Sequence, residues 1–400
     1  MASSEHSEPQ LGEVEWLDVG PVDGGEPPTG HRSVWRGWYV LVGVAIVAVV
    51  LALTVGRDSS HKAAPRPTPT PSHTTPTPTP TPTRSPLLDQ TTSAPPVQVS
   101  SLGHPLLDVG SGVEVFAYGG DTVLRIQLAA GRITRTRGVL MGGGGPGFLV
   151  PGPHQLVLGS WDPGSGFAVP DGSPPRNLPG VLARGGSILP GPDQAHVWVS
   201  PNDPSNPRTE LVGFDGRPTG VSVPVSASIS DGAGYLVVGL TGGMYDVRPG
   251  STQRITSGAL LAIGPTRWLT EECDDQHHCT RDVIDRATGE RQVLGPTTDT
   301  NDPPGVISAD GRTAAILSTD AAGLKTTLHF IDLATGADRT TTLQVNRDAG
   351  YSGGAMAWTP DGHWLIAVDS SGRVVAIDCA GHTKVLASGD PVMIQLALRP

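Results

Sequence analysis

Lysine is almost missing from this chain, which carries it only at Lys62, Lys325 and Lys384. Acidic residues outnumber basic ones, 38 to 27, for a formal net charge of −11. Nine of the acids and six of the bases precede residue 101, which leaves 29 against 21 and a net charge of −8 for the remainder. A nucleic-acid binder needs a basic surface that displaces counterions, so that class is excluded. Helical periodicity is also lacking from residue 101 onward, where alternating apolar runs dominate, and this excludes a helix-built body. Cysteine is scarce, with only Cys273, Cys279 and Cys379. What the chain has in excess is turn formers, 53 Gly and 39 Pro, the punctuation of many short strands.

One long apolar run stands out, Trp38–Val55, eighteen residues without a charge. That is enough to cross roughly 30 Å of hydrocarbon as a helix. The leader before it is long and acidic (Glu5, Glu8, Glu13, Glu15, Asp18, Asp23 and Glu26), unlike the short basic leader of a cleaved signal. The expectation is an uncleaved single-pass anchor at residues 37–56 behind a disordered cytoplasmic tail at 1–36. Flanking charges do not settle its orientation, since Arg32 and Arg36 lie on one side and Arg57, Lys62 and Arg66 on the other. The segment that follows does favour one. Residues 57–100 include a strict Pro/Thr alternation, Thr75 to Thr83, which adopts extended polyproline II. At about 3.1 Å per residue such a stalk holds the next domain up to ~100 Å from the bilayer, as ectodomains are held. The C-terminal domain, 101–400, is therefore expected outside the cytoplasm.

Within residues 101–400 two elements recur. The first is an Asp-Gly turn before an apolar run, at Ser230-Asp231-Gly232, Ala309-Asp310-Gly311 and Pro360-Asp361-Gly362, with looser copies at Pro192-Asp193-Gln194 and Pro153-His154-Gln155. The second is an apolar strand ending in a turn, as in Phe330-Ile331-Asp332 to Gly336, Val283-Ile284-Asp285 to Gly289 and Ala376-Ile377-Asp378 to Gly381. Copies recur at the spacing of four-stranded propeller blades. Counting them gives an all-β, seven-bladed β-propeller with blades starting near residues 113, 147, 187, 226, 258, 305 and 354. The first copy lacks its innermost strand, and the terminal run Val392–Leu398 is the candidate to supply it and close the ring.

On these turn and strand elements the chain resembles TolB-type and WD-repeat-like bacterial propellers over roughly residues 105–400. The resemblance implies partner binding through the faces of a disc. It names no partner, and nothing here matches the additional N-terminal domain of TolB. The lone Trp161-Asp162 sits in a Pro/Gly-rich loop and is not a WD signature.

Motifs that suggest chemistry have simpler readings. Gly350-Tyr351-Ser352-Gly353-Gly354 fits the nucleophile-elbow pattern but leads into a strand where an elbow needs a helix. Gly142–Gly147 lacks the Lys-Ser/Thr of a phosphate loop. Cys273-Asp274-Asp275-Gln276-His277-His278-Cys279 reads as a hairpin tip closed by a disulfide, since one short hairpin rarely converges four zinc ligands. Cys379 is left over, expected as a small buried hydrophobe. Trp198, Trp268, Trp358 and Trp364 lie inside apolar runs and are expected to pack between blades.

The combined expectation is a non-enzymatic, membrane-anchored extracytoplasmic binding module with no cofactor and no bound metal. Its candidate patch is the Cys273–Cys279 loop (Asp274, Asp275, His277, His278) with Asp299, Asp302, Arg347 and Asp348 on nearby loops. The competing reading is an envelope-glycan lyase or hydrolase using the channel. It needs ionisable groups on the inner strands, where Ser226–Ser230, Leu260–Ile263 and Ala355–Trp358 offer mostly apolar and small residues. Peptide mapping without reductant should recover Cys273 and Cys279 as one linked peptide; a free Cys273 thiol would rule the pairing out.

Overall fold

The computed structural model describes residues 97–400 apart from 140–146, 202, 204, 228, 277, 298–304, 320–325, 347–353, 355 and 389. The chain divides into two units, Met1–Leu87 and Leu88–Pro400, and every described residue belongs to the second. The acidic tail, the apolar run Trp38–Val55 and the Thr/Pro tract lie outside the described residues. Among those described, no helix is long and apolar enough to cross a membrane.

The second unit is all-β, with one 3₁₀ turn at Gly180–Arg184. It starts with β1 (Val97–Ser101), β2 (Glu114–Gly119), β3 (Thr122–Gln127) and β4 (Arg132–Arg137). The second group is β5 (Phe148–Pro151), β6 (Gln155–Gly159), β7 (Phe167–Pro170) and β8 (Arg176–Asn177), and the third is β9 (Ser187–Pro190), β10 (His196–Ser200), β11 (Thr209–Gly213) and β12 (Pro218–Val223). The fourth comprises β13 (Ile229–Ser230), β14 (Leu236–Leu240), β15 (Gly243–Arg248) and β16 (Ser251–Thr256). Next come β17 (Ala259–Ile263), β18 (Arg267–Cys273), β19 (Cys279–Asp285) and β20 (Arg291–Thr297), then β21 (Gly305–Ile307), β22 (Thr313–Thr319), β23 (Thr326–Asp332) and β24 (Asp338–Thr340). The chain ends with β25 (Met356–Trp358), β26 (Trp364–Val368), β27 (Val374–Asp378), β28 (Thr383–Ala387) and β29 (Gln395–Arg399).

These strands form antiparallel meanders, and the starts expected near 147, 187, 226, 258, 305 and 354 fall at or within three residues of β5, β9, β13, β17, β21 and β25. Seven separate sheets are not what forms. Five blade-sized sheets stand alone, and the sixth is eight-stranded, β20-β19-β18-β17-β21-β22-β23-β24. Its halves are joined because β17 and β21 pair in parallel, Ala262 with Gly305 and Ile263 with Val306. On its other side β21 packs closely on β22, where a Cβ at Gly305 would meet the Ala315 carbonyl oxygen at 2.1 Å.

The innermost strands follow one another around a ring, β29 beside β5, β5 beside β9 and β9 beside β13, then β17 beside β21, β21 beside β25 and β25 beside β29, while the fourth sheet meets the next through β15 on β17 and β16 on β18. Apolar clusters fill the seams between neighbours, including a large one through the second, third and fourth sheets. Middle strands thus bury both faces and read as continuous apolar runs: Gln155–Gly159 is buried throughout, whereas outer β28 is exposed over Thr383–Val385. Trp198, Trp268 and Trp358 are core residues, and Trp364 is partly buried.

The repeated aspartates work as turn formers. Asp310 Oδ1 accepts the Arg312 N–H at 3.1 Å and the Ser308 hydroxyl at 2.6 Å, and Gly311 follows at φ 70°. Asp332 likewise accepts from the Ala334 and Thr335 amides at 3.0 and 2.9 Å. Each is an Asx turn, with the side chain satisfying backbone donors that the tight turn leaves open.

The C-terminal strand completes the first sheet, as β29 pairs antiparallel with β2 from Glu114↔Arg399 to Tyr118↔Gln395. A feature the repeats did not reveal is β1, a fifth strand added outside β4. The closure is fastened by charge. Arg399 pairs with Glu114, donates to the Gly152 carbonyl at 2.7 Å and to Asp171 at 2.9 Å, and its Cζ lies 4.9 Å from the centre of the Phe116 ring. Burial pushes the Glu114 carboxyl up, but bonds from Arg125, Gln127 and Arg399 more than offset this and hold it low. Arg399→Met should therefore lower unfolding stability by about 3 kcal/mol, because Glu114 stays buried with Arg125 as its one remaining cation. Pairing it with Glu114→Gln should recover part of the loss, and urea unfolding checks both.

Candidate functional site

Where the innermost strands end, one mouth of the ring holds a cavity of about 440 Å³. Its walls are the β9–β10 turn (Gly191 to Gln194), the β13–β14 turn (Gly232 to Gly234) and the ends of β5 and β29 (Val150, Pro151, Leu398 and Arg399). The lining is largely apolar and proline-rich, and Asp193, Gln194, His196, Ser230 and Arg399 are its polar side chains. Gly234, at φ 89°, packs where a Cβ would meet the Gly191 carbonyl oxygen at 2.4 Å, so the two turns can close against each other only through glycine. The indole N–H of Trp198 donates to Gly234 O at 2.8 Å from the core behind.

Asp193 faces His196 Nδ1 at 2.8 Å and accepts the Ala195 N–H at 2.8 Å. Partial burial pushes its carboxyl up, but these bonds outweigh it and hold the group below the usual range. The rim therefore presents a fixed negative charge. Arg399 is the one ionisable residue on the innermost strands β5, β9, β13, β17, β21, β25 and β29, and its donors are committed to Glu114, Asp171 and Gly152.

The disulfide tip of the patch expected from sequence lies at the other end of the strands. Ala259, the first residue of β17, pairs with Glu271 near the end of β18, so the β18–β19 tip is at the entry end and the cavity at the exit end. Cys273 and Cys279 form the expected disulfide, with Cα atoms 3.9 Å apart on directly paired positions. Asp274 and His278 are brought together, Oδ2 to Nδ1 at 3.2 Å, while Oδ1 accepts the Gln276 and His278 amides at 2.8 and 2.9 Å. The same turn recurs at Asp378 and His382, so the pair has an architectural role. Asp275 is exposed; His277, Asp299, Asp302, Arg347 and Asp348 lie outside the described residues, as do most of the two glycine-rich motifs.

A Glu271 carboxylate oxygen and both tip sulfurs lie within 4.8 Å of one another. Metal binding needs thiolates, and these sulfurs are bonded to each other. Cys379 corrects the expectation of burial, for it is exposed on the β27–β28 turn. Its thiol is nonetheless pushed up, by partial desolvation first, with a Thr313 hydrogen bond opposing.

Sequence reasoning also missed a chain of hydrogen bonds with triad-like geometry. Ser318 Oγ lies 2.7 Å from His329 Nε2, and His329 Nδ1 lies 3.0 Å from Asp338 Oδ1. The residues are dispersed over three strands, β22, β23 and β24, with no motif to join them. The order of burial is the reverse of what catalysis requires. Ser318 is buried, whereas the Asp338 side chain is 30% exposed, so solvent meets the carboxylate end and a substrate could not reach the hydroxyl. Arg281 from β19 donates to Asp338 at 3.1 Å, making the chain a clamp between the two halves of the eight-stranded sheet.

No family model matches the chain, and no curated protein matches it. Solved structures are similar to it. TolB from Acinetobacter baumannii aligns at 15% identity with a TM-score of 0.40, over 63% of this chain and 65% of that protein's length. A protein from Lactobacillus plantarum aligns at 15% identity and 0.47, over 72% and 99%. An oligogalacturonate lyase in complex with manganese aligns at 12% and 0.42, over 73% and 90%. All three scores lie below 0.5, so the propeller-like architecture rests on the strand pairing described above.

The opposite end of the sheets has its own ion network. Arg291 bridges Glu272 at 2.8 Å and Asp282 at 2.9 Å, and Thr256 of the fourth sheet donates to Glu272 at 2.7 Å. Burial pushes the Glu272 carboxyl up, yet bonds from Thr256, Arg291 and the Ser257 amide bring it down to about 2. A depressed carboxylate pKa stabilises the fold above the ordinary value, and the gain is lost as pH falls through the folded one. Wild type should accordingly exceed Glu272→Gln in melting temperature at neutral pH, and the gap should close as pH drops from the ordinary carboxylate range toward about 2.

Proposed function

We propose that the chain is a membrane-anchored, extracytoplasmic binding module, carried on the Thr/Pro-rich stalk and taking its ligand at the exit-end mouth of the ring. In this reading the halves of the eight-stranded sheet act as two blades, so the wheel counts seven. The observation that carries the proposal is the cavity of about 440 Å³, walled by turns of adjacent sheets and lined largely by glycine, proline and aliphatic residues. Pockets that combine an apolar floor with a few oriented polar groups are binding sites by default.

An enzyme in the channel is the competing reading. It needs titratable groups free to act on one substrate; the innermost strands contribute Arg399 alone, and the pair at the mouth, Asp193 and His196, is bonded to itself at 2.8 Å. That favours recognition over turnover.

A photo-cross-linking residue placed at Ala233, an exposed cavity position, tests the site in intact cells expressing the full chain. A defined adduct from Ala233 and none from Gln276, on the disulfide tip, is the expected outcome. The reverse pattern would move the site to the other end. Protease added to the same cells should shed the C-terminal domain by cutting in residues 57–100; survival of the intact chain would overturn the topology.

A further inference from the structure

The seam between the fourth sheet and the β17–β20 half of the eight-stranded sheet contains buried charge that ring closure does not use. Asp231, in the β13–β14 turn, is fully buried and pairs with Arg286 from the β19–β20 turn. Asp231 Oδ1 accepts the Ala233 and Tyr235 amides at 2.8 and 2.7 Å. Arg286 also donates to the Asp231 and Gly264 carbonyls and lies 4.6 Å from the centre of the Trp268 ring. This pair is thoroughly served with partners.

Asp246 of β15, in the same cluster, is not. It is 3% exposed, and its Oδ2 accepts from Arg248 Nε at 3.0 Å. That arginine is itself 41% exposed and lies over the Tyr235 ring at 4.8 Å. Asp246 Oδ1 is buried without a partner, as is the Trp268 indole nitrogen. A buried carboxylate with one half-solvated partner recovers little of its lost hydration. Burial first, and then the charge of Asp231, push its pKa up, against the pull of Arg248 and Arg286.

We propose that Asp246 is a proton-operated clasp: protonated, it lets the fourth sheet close on the adjoining half-sheet through the Asp231–Arg286 pair, and ionised, it loosens that seam. The charged groups that act on it are Arg248 from its own strand, Asp231 from the β13–β14 turn and Arg286 from the adjoining half-sheet. Both guanidiniums keep their charge throughout. Because Asp231 anchors the turn that walls the mouth cavity, the wall Ser230–Gly234 moves with the clasp, whatever the cavity binds. The sign is opposite to that of Glu272. A raised carboxylate pKa favours the closed form in acid, and the advantage declines as pH rises from the ordinary aspartate value through the elevated one.

Amide hydrogen exchange of the full-length chain, corrected for intrinsic pH dependence, reads the clasp directly. Peptides covering β13–β14 and β18–β19 should lose protection as pH rises, while those covering β5–β6 stay level. Asp246→Asn, which mimics the protonated side chain, should hold protection at its acid value, with slower exchange than wild type at high pH by about tenfold per unit of upward shift. A wild-type-to-variant ratio that does not change with pH overturns the proposal. Should the variant fail to fold, carboxyl-carbon NMR of the wild type decides: titration above the ordinary aspartate range supports the clasp, and titration within or below it sinks it.

Discussion

Glu114 and Arg399 are 285 positions apart in sequence and meet in a buried ion pair on adjacent strands. That contact closes the ring, and the other sheets depend on it. A sheet buried on both faces needs a neighbour on each side, which only a closed circle supplies to all of them. Bringing the two ends together costs loop-closure entropy that rises slowly with length. What closure returns is the pairing of β29 with β2 and the apolar cluster between the first and last sheets. Arg125, Gln127 and Asp171 surround the pair with further bonds, so both charges are compensated where water is excluded.

The seams around the circle are not alike. The second, third and fourth sheets share one continuous apolar core. The half-sheet β17–β20 adds ions to smaller apolar clusters, with Asp231, Asp246, Arg286 and Arg291 toward the fourth sheet and Arg281 with Asp338 toward β21–β24. Parallel pairing of β17 with β21 holds one side firmly and leaves the other to side chains alone. Polar seams are where a rigid wheel can respond to proton concentration, since apolar packing has nothing to titrate. The same seams produce arrangements that look catalytic. The Ser318, His329 and Asp338 chain has the distances of a triad, but its hydroxyl is at the buried end, and it joins sheets.

Much of this was legible in the chain. The Asp-Gly and Asp-x-x-x-Gly elements were read correctly as turns because an Asx turn is a local event, settled within five residues. Strand runs such as Trp364–Val368 and the Cys273–Cys279 hairpin were legible for the same reason. The candidate site was not. Asp193 and Asp231 stand out in the sequence only as repeat markers, and nothing local indicates that their turns face each other across a cavity. Cys379 was misjudged because it follows a buried strand, Val374–Ile377, by only two residues, and the turn carries it outward. β1 has no counterpart in the repeats and so left no periodic signal.

By itself the sequence determined an all-β body of repeated antiparallel strands, its closing segment and its local disulfide, since each follows from turn chemistry and alternation over short spans. Tertiary structure decided how many sheets stand apart, which end of the ring forms a cavity, and which carboxylates lose their water. Those outcomes depend on the mutual approach of residues far apart in the chain. Gly234 against Gly191 permits an approach that no single segment encodes, and the desolvation of Asp246 exists only once two sheets have met.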